Sequence, residues 1–384
     1  MTTSFFQTGF RPFFLLAALG GTLGPPLWML VFGGGMHLAS PLPPLVWHIH
    51  EMLFAVIGAV IAGFLLTAVQ SWTGRRTISG TPLAAMVLAW ISGRILLLLP
   101  IAAPIAALPD LLWLGGTAVA IGIPIFQTRN QRNYAFPLIV MALAALHVIT
   151  LMWPAAAIAG SRVVLDLICV VMVVITGRII PMFTRNSLPS LVVGSWPTFD
   201  RLALGGTVLL TAGDLGFAVF GRSDLGDLAS GGLCLATGSA ILVRSIPWKG
   251  PSTLSQPLVA ILHLGHTWIG VGMLLLGLSY LGAPLSTSTG VHALTVGAMA
   301  TLCLGMMARV ALGHTGRTLG IGKGMIAAFA AIAAAAGVRV ATAGMNGGTL
   351  PLTLAAVLFG AAFLIYLIQY SAILFRPRVD GRPG

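Results

Sequence analysis

Residues 47–69, WHIHEMLFAVIGAVIAGFLLTAV, decide the fold. After Glu51 the run carries no charge, and it exceeds the roughly 20 residues a helix needs to cross the hydrocarbon core of a bilayer. Yet it opens with two histidines and a glutamate, groups that cost about 2.5 to 3.5 kcal/mol to place in a membrane when charged. A stretch of this kind reads as a transmembrane helix that carries chemistry.

The rest of the chain repeats the apolar part of that pattern. Of 384 residues, 57% are hydrophobic and 7% charged, and the mean hydropathy is +0.99. A soluble domain carries about 25% charged residues, so that class is excluded, and no polar tract, heptad run or collagen repeat is present. Besides the quoted run, apolar segments extend over Phe13–Val31, Leu83–Pro100, Leu111–Phe126, Phe136–Trp153 and Val163–Phe183 in the first half. The second half adds Leu202–Phe220, Leu228–Val243, Leu258–Leu281, Val291–Ala311, Met325–Ala341 and Leu350–Phe375. The expectation is an all-α polytopic membrane helix bundle of about 12 transmembrane helices, forming one integral membrane domain over residues 1–384.

Loop charges orient the bundle, because Lys and Arg are retained on the cytoplasmic side. With the N-terminus inside, the inner segments hold Arg11, Arg75, Arg76, Arg129, Arg132, Arg185, Arg201, Arg244, Lys249, Arg317, Lys323, Arg376, Arg378 and Arg382, whereas the outer ends hold Arg162, Arg222 and Arg339. Both termini are therefore expected in the cytoplasm. The net charge of +12 is spread over short inner loops, which makes it a matter of topology and not of nucleic-acid binding. The first apolar run has no small-residue cleavage site and reads as a retained span. Cys169, Cys234 and Cys303 all fall inside apolar runs, with the spacing of neither a disulfide framework nor a zinc knuckle.

Two spans compare without a gap. His50, Gly63, Thr73, Gly74 and Arg75 recur at the same offsets as His292, Gly305, Thr315, Gly316 and Arg317. A repeat at this distance fits a bundle of three four-helix units, with a middle copy ending near Arg178.

Within the expected spans the acids are Glu51, Asp166 and Asp214, Asp110 being read as a loop residue. Six histidines, His48, His50, His147, His263, His266 and His292, fall within or at the ends of spans. At about 100° per residue His48, Glu51 and Met52 share one helix face and His50 points away, so one helix can serve two sites. Neutral imidazole is a common ligand for haem iron and copper. His147 and Asp166, both in outer halves of their spans, could join an outer polar cluster, while His263 and His266 share a face nearer the inner end. Arg94, Arg178 and Arg309 also lie in apolar stretches.

Several segments together resemble one family. Gly9-Phe10-Arg11-Pro12-Phe13-Phe14, Trp47-His48-Ile49-His50-Glu51-Met52-Leu53-Phe54, Gly63-Phe64-Leu65-Leu66-Thr67-Ala68, Trp72-Thr73-Gly74-Arg75, Gly177-Arg178-Ile179-Ile180-Pro181-Met182-Phe183-Thr184 and Leu312-Gly313-His314-Thr315-Gly316-Arg317 look like the NnrS family. The resemblance implies a haem- and copper-containing protein of the bacterial inner membrane, linked to nitric oxide metabolism and nitrosative stress. It also implies a diatomic ligand such as nitric oxide, a membrane or periplasmic electron donor and no nucleic acid. On this reading His48, His50 and His292 are candidate iron ligands, Glu51 supports them, and Arg11, Arg94 and Arg178 are candidates to meet haem propionates. A weaker likeness is to the twelve-helix subunit of the haem-copper oxidases, in which His48 and His292 would fall on matching spans. The sixth and seventh spans here carry no histidine, so copper would be held otherwise, by His263 or His314. A haem-dependent oxidoreductase acting on nitric oxide is the leading expectation. The alternatives are a twelve-span secondary transporter, supported by span count, and a haem-based sensor without turnover.

Overall fold

The structure is a computed structural model in which residues 4–344 and 349–381 are described; Arg382, one of the inner charges above, lies outside them. Among the described residues the regular secondary structure is all helical, with no strand. In chain order the helices are α1 (Phe10–Phe32), α2 (Pro44–His50), α3 (Gly58–Thr73), α4 (Thr81–Leu96), α5 (Ala103–Gln127), α6 (Ala135–Met152), α7 (Ala157–Ser187), α8 (Pro197–Phe220), α9 (Asp224–Ser245), α10 (Pro257–Tyr280), α11 (Thr287–His292), α12 (Thr301–His314), α13 (Lys323–Ala341) and α14 (Leu350–Phe375). Two π-helical segments, Glu51–Ile57 and Ala293–Ala300, join α2 to α3 and α11 to α12. Counting each such composite as one span, eleven helices are long and apolar enough to cross a membrane, and α4 is a shorter apolar helix. This is a multi-pass membrane protein with the bundle architecture expected from its hydropathy.

The chain divides into two compact units. One comprises Met1–Val164, Met307–Leu319 and Phe363–Gly384; the other comprises Leu165–Met306 and Gly320–Ala362.

The first unit is organised around the composite span 44–73, which is apolar on every side and largely buried. Pro43 in extended backbone and Pro44 in the first turn start it. Gly74 ends it in the left-handed conformation, φ 67°, with its N–H returned to the Gln70 carbonyl at 2.9 Å. Helix α1 can lie against this span because Gly63 leaves room for Phe13 and Phe14: a β-carbon there would come within 3.1 Å of both side chains. The π segment is the span's irregular feature. Widening the turn to i→i+5 releases carbonyls from the regular ladder, and Trp90 of α4 donates its indole N–H to the Ala55 carbonyl at 3.1 Å.

Helix α5 begins earlier than the hydropathy suggested. Pro104 occupies its first turn instead of breaking it, so the helix starts at Ala103 and accommodates Pro109 internally. Asp110 consequently sits inside a membrane helix, fully buried. The second unit is held by close approaches of the same kind. A β-carbon on Gly238 of α9 would lie 2.8 Å from the Gly270 carbonyl of α10, so these two backbones pack nearly in contact.

Candidate metal centre

Four helices of the first unit bring ionisable side chains to one place. The end of α2 supplies His50, the first π residue supplies Glu51, α4 supplies Arg94, α5 supplies Asp110 and α6 supplies His147. His50, Asp110 and His147 are completely buried. His50 Nε2 stands 2.8 Å from His147 Nδ1, and Asp110 Oδ2 lies 3.6 Å from the first and 4.0 Å from the second. These three ligand atoms lie within 4.8 Å of one another, the spacing of a metal-binding triad.

The remaining contacts fix the rings. His147 Nε2 donates to the Ala107 carbonyl at 3.0 Å, and Trp113 Nε1 donates to Asp110 Oδ1 at 2.6 Å. Arg94 Nε pairs with Glu51 Oε2 at 3.0 Å while the same guanidinium, through Nη2, bonds Asp110 Oδ2. The guanidinium also lies over the Trp90 ring, 5.1 Å from its centroid. One helical turn away along the same four helices, Trp47, Leu97, Ala107 and Leu151 belong to a single buried apolar cluster. That layer closes one end of the site against water.

Proton accounting shows what the arrangement can hold. A carbonyl only accepts, so His147 carries its hydrogen on Nε2 and turns a lone pair on Nδ1 toward His50. His50 must then donate from Nε2. Its other nitrogen, Nδ1, faces Glu51 Oε1 at 3.1 Å, and that contact needs a further hydrogen, on the imidazole or on the carboxyl. Now let a cation replace the hydrogen between the two rings. His50 keeps one hydrogen, on Nδ1, and donates it to Glu51; His147 still donates to Ala107; both inward nitrogens and Asp110 Oδ2 are free to ligate. Both imidazoles and the Asp110 carboxylate have partners in that state, with each ligating imidazole oriented through its other N–H as metal-bound histidines are. Charge agrees: with the further hydrogen the metal-free cluster is neutral, and the release of one hydrogen on metal uptake leaves one negative charge, from Glu51 and Asp110 against Arg94, for the cation to offset.

A family model described as NnrS protein matches residues 4–378. The chain belongs to the NnrS family. No curated protein matches it.

The structure assembles three of the residues that sequence reading selected in this NnrS chain, His50, Glu51 and Arg94. It adds His147, read as polar but not as a ligand, and Asp110, read as a loop residue. His50 and Glu51 were expected to point to different faces; as chain neighbours they nevertheless touch, His50 Nδ1 standing 3.1 Å from Glu51 Oε1. His48 is elsewhere, its ring stacked on Trp28 at 4.5 Å. Arg11 is fully buried and caps a helix end, its Nη1 donating to the carbonyls of Leu374 at 2.8 Å and Arg376 at 2.6 Å. His314 ends α12 with its ring 5.8 Å from that of Phe10. In the second unit His263 and His266 bond the hydroxyls of Thr184 and Thr176, each at 3.0 Å, as packing histidines do. Arg178 is half-buried on α7, Asp166 is buried on the same helix, and His292 belongs to a separate cluster described below.

Proposed function

We propose that this NnrS chain is a metalloprotein of nitric oxide metabolism in the bacterial inner membrane, with a single metal ion held by His50, His147 and Asp110. The observation that supports it is the pair of buried imidazole nitrogens facing each other at 2.8 Å beside a buried carboxylate. Two imidazoles and one carboxylate, without sulfur, form a donor set suited to copper(II) or non-haem iron(II). Copper is the better match to the family resemblance. Haem does not fit between these rings, because their facing nitrogens stand closer than two axial ligands on opposite sides of a macrocycle. A copper ion bound there would supply one-electron chemistry and a coordination position for a diatomic ligand.

The protein's own groups have distinct tasks. His50 and His147 bind; Asp110 binds and lowers the net charge. Glu51 holds the hydrogen on His50 Nδ1, and the Ala107 carbonyl holds that on His147 Nε2. Arg94 ties the two carboxylates together so that neither can rotate away. The apolar layer around Trp47 and Leu97 excludes water from one side, while Arg94 and Glu51, 14% and 12% exposed, are the members that reach toward the outside of the site.

Metal analysis of the detergent-purified protein tests this reading. One equivalent of copper or iron is expected in the wild type and much less in His50→Ala and His147→Ala, with His263→Ala unchanged. Full metal content in both of the first two variants would remove the site from consideration.

A further inference from the structure

The internal repeat reaches further in the structure than in the sequence. In the first unit a short helix ends at His50 and is followed at once by a π segment, Glu51–Ile57; in the second, a short helix ends at His292 and is followed at once by the π segment Ala293–Ala300. Each span then closes near a left-handed glycine, Gly74 with φ 67° and Gly316 with φ 74°. The next helix in each case carries an arginine two residues before its end, Arg94 on α4 and Arg339 on α13.

The two arginines differ in what surrounds them. Arg94 pairs with Glu51 and Asp110. Next to His292 the place of Glu51 is taken by Ala293, and the polar neighbour is Ser288. Arg339 Nη2 donates to Ser288 Oγ at 3.3 Å. His292 Nδ1 lies 3.1 Å from the same hydroxyl and donates to the Ser288 carbonyl at 2.8 Å. Arg339 Nη1 is buried without a hydrogen-bond partner. The chain has eight acidic residues, all of them described, and none pairs with Arg339 among the described residues.

A guanidinium at a helix end usually turns its head to water, and one that does not usually meets a carboxylate. Arg339 does neither with Nη1. The His292 Nδ1 hydrogen goes to the Ser288 carbonyl and the Ser288 hydroxyl accepts from Arg339, so the hydroxyl's own hydrogen remains to be given. These donors meet beside Ser288, one turn before His292, where Arg339 has no carboxylate of the kind that Arg94 has in Glu51 and Asp110. We propose that Ser288, His292 and Arg339 form an anion-binding site that takes a carboxylate or a phosphate oxyanion as the missing counter-ion. The fork of Arg339 supplies the charge, the Ser288 hydroxyl supplies a second donor, and His292 holds Ser288 in place. The site is independent of any metal at His50.

Equilibrium dialysis of delipidated, chelator-treated full-length protein against radiolabelled formate, at constant ionic strength in chloride, tests the free-carboxylate source. Phosphorus analysis of protein purified in mild detergent tests the lipid-headgroup source. The expected result is either about one formate per wild-type chain, bound roughly 10- to 100-fold more weakly by Arg339→Gln as befits loss of a charge-assisted bond, or about one phospholipid per chain retained by the wild type and absent from Arg339→Gln. Arg339→Lys, which keeps the charge without the fork, should fall between them, and Arg222→Gln should match the wild type. If Arg339→Gln does not fold, Arg339→Lys and Ser288→Ala decide by the same two readouts. Formate binding and phospholipid content both indifferent to these substitutions would overturn the proposal.

Discussion

Gly93 offers the sharpest test of the metal centre, because it contributes no ligand yet bounds one. A β-carbon at Gly93 would stand 2.6 Å from Asp110 Oδ1, 3.1 Å from its Cγ and 3.3 Å from Oδ2. Ordinary carbon contacts begin at 3.4 Å, so in Gly93→Ala the carboxylate has to retreat by something approaching 1 Å. Asp110 cannot retreat freely: Trp113 and Arg94 hold its two oxygens. Overpacking of this sort costs about 1 to 3 kcal/mol, and constellations that bind metal tolerate displacements of only about 0.5 Å. At 1.4 kcal/mol per decade, the metal should be bound roughly 10- to 100-fold more weakly. Chelator competition on purified protein measures this directly. Gly115, on the same helix as Asp110, has nothing within 4 Å of its would-be β-carbon, so Gly115→Ala is the matched control and should leave affinity unchanged. Equal affinities for Gly93→Ala, Gly115→Ala and the wild type, in a folded protein, would show that Asp110 is not a ligand.

Three further outcomes follow from the same contacts. Because the ion displaces the hydrogen shared by His50 and His147, its uptake should release about one proton, and affinity should rise about tenfold per pH unit through the neutral range; titration in weak buffer with a pH indicator reports the release, and a pH-independent affinity would contradict the exchange. Arg11→Ala strips a charged donor from the carbonyls of Leu374 and Arg376 and should cost about 1.5 to 3 kcal/mol of stability, seen as a lower Tm with unchanged metal content. Arg222 pairs with Asp214 at 2.5 Å and Asp227 at 2.6 Å near the surface, where screening is strong, so Arg222→Ala should lower stability by about 1 kcal/mol or less, and the loss should shrink in high salt.

The site was legible only in part. His50, Glu51 and Arg94 stood out because ionisable groups in apolar runs are costly and therefore noticeable. Asp110 was hidden because the apolar run reads as starting at Leu111, whereas the helix opens with Pro104 in its first turn and carries Pro109 within its early turns. His147 was visible but had no assignable partner, since its neighbour comes from a residue 97 positions away. The π segments left no signal in hydropathy. They change which side chains share a face without changing how apolar the stretch is.

The sequence by itself determined the solvent. Long uncharged runs can satisfy their backbone polar groups in hydrocarbon only as helices, which fixes an all-helical bundle and its spans, and the motifs along the chain determine the NnrS family. Tertiary structure decided which of the scattered polar side chains meet. Hydropathy is a property of each segment, whereas a ligand set belongs to the contact of four segments, and the register of that contact is set by glycines, a proline-started helix and a π turn. The same physics separates the repeat's two copies: a shared backbone pattern places an arginine beside each histidine, and the local side chains decide that one cluster is negative and the other positive.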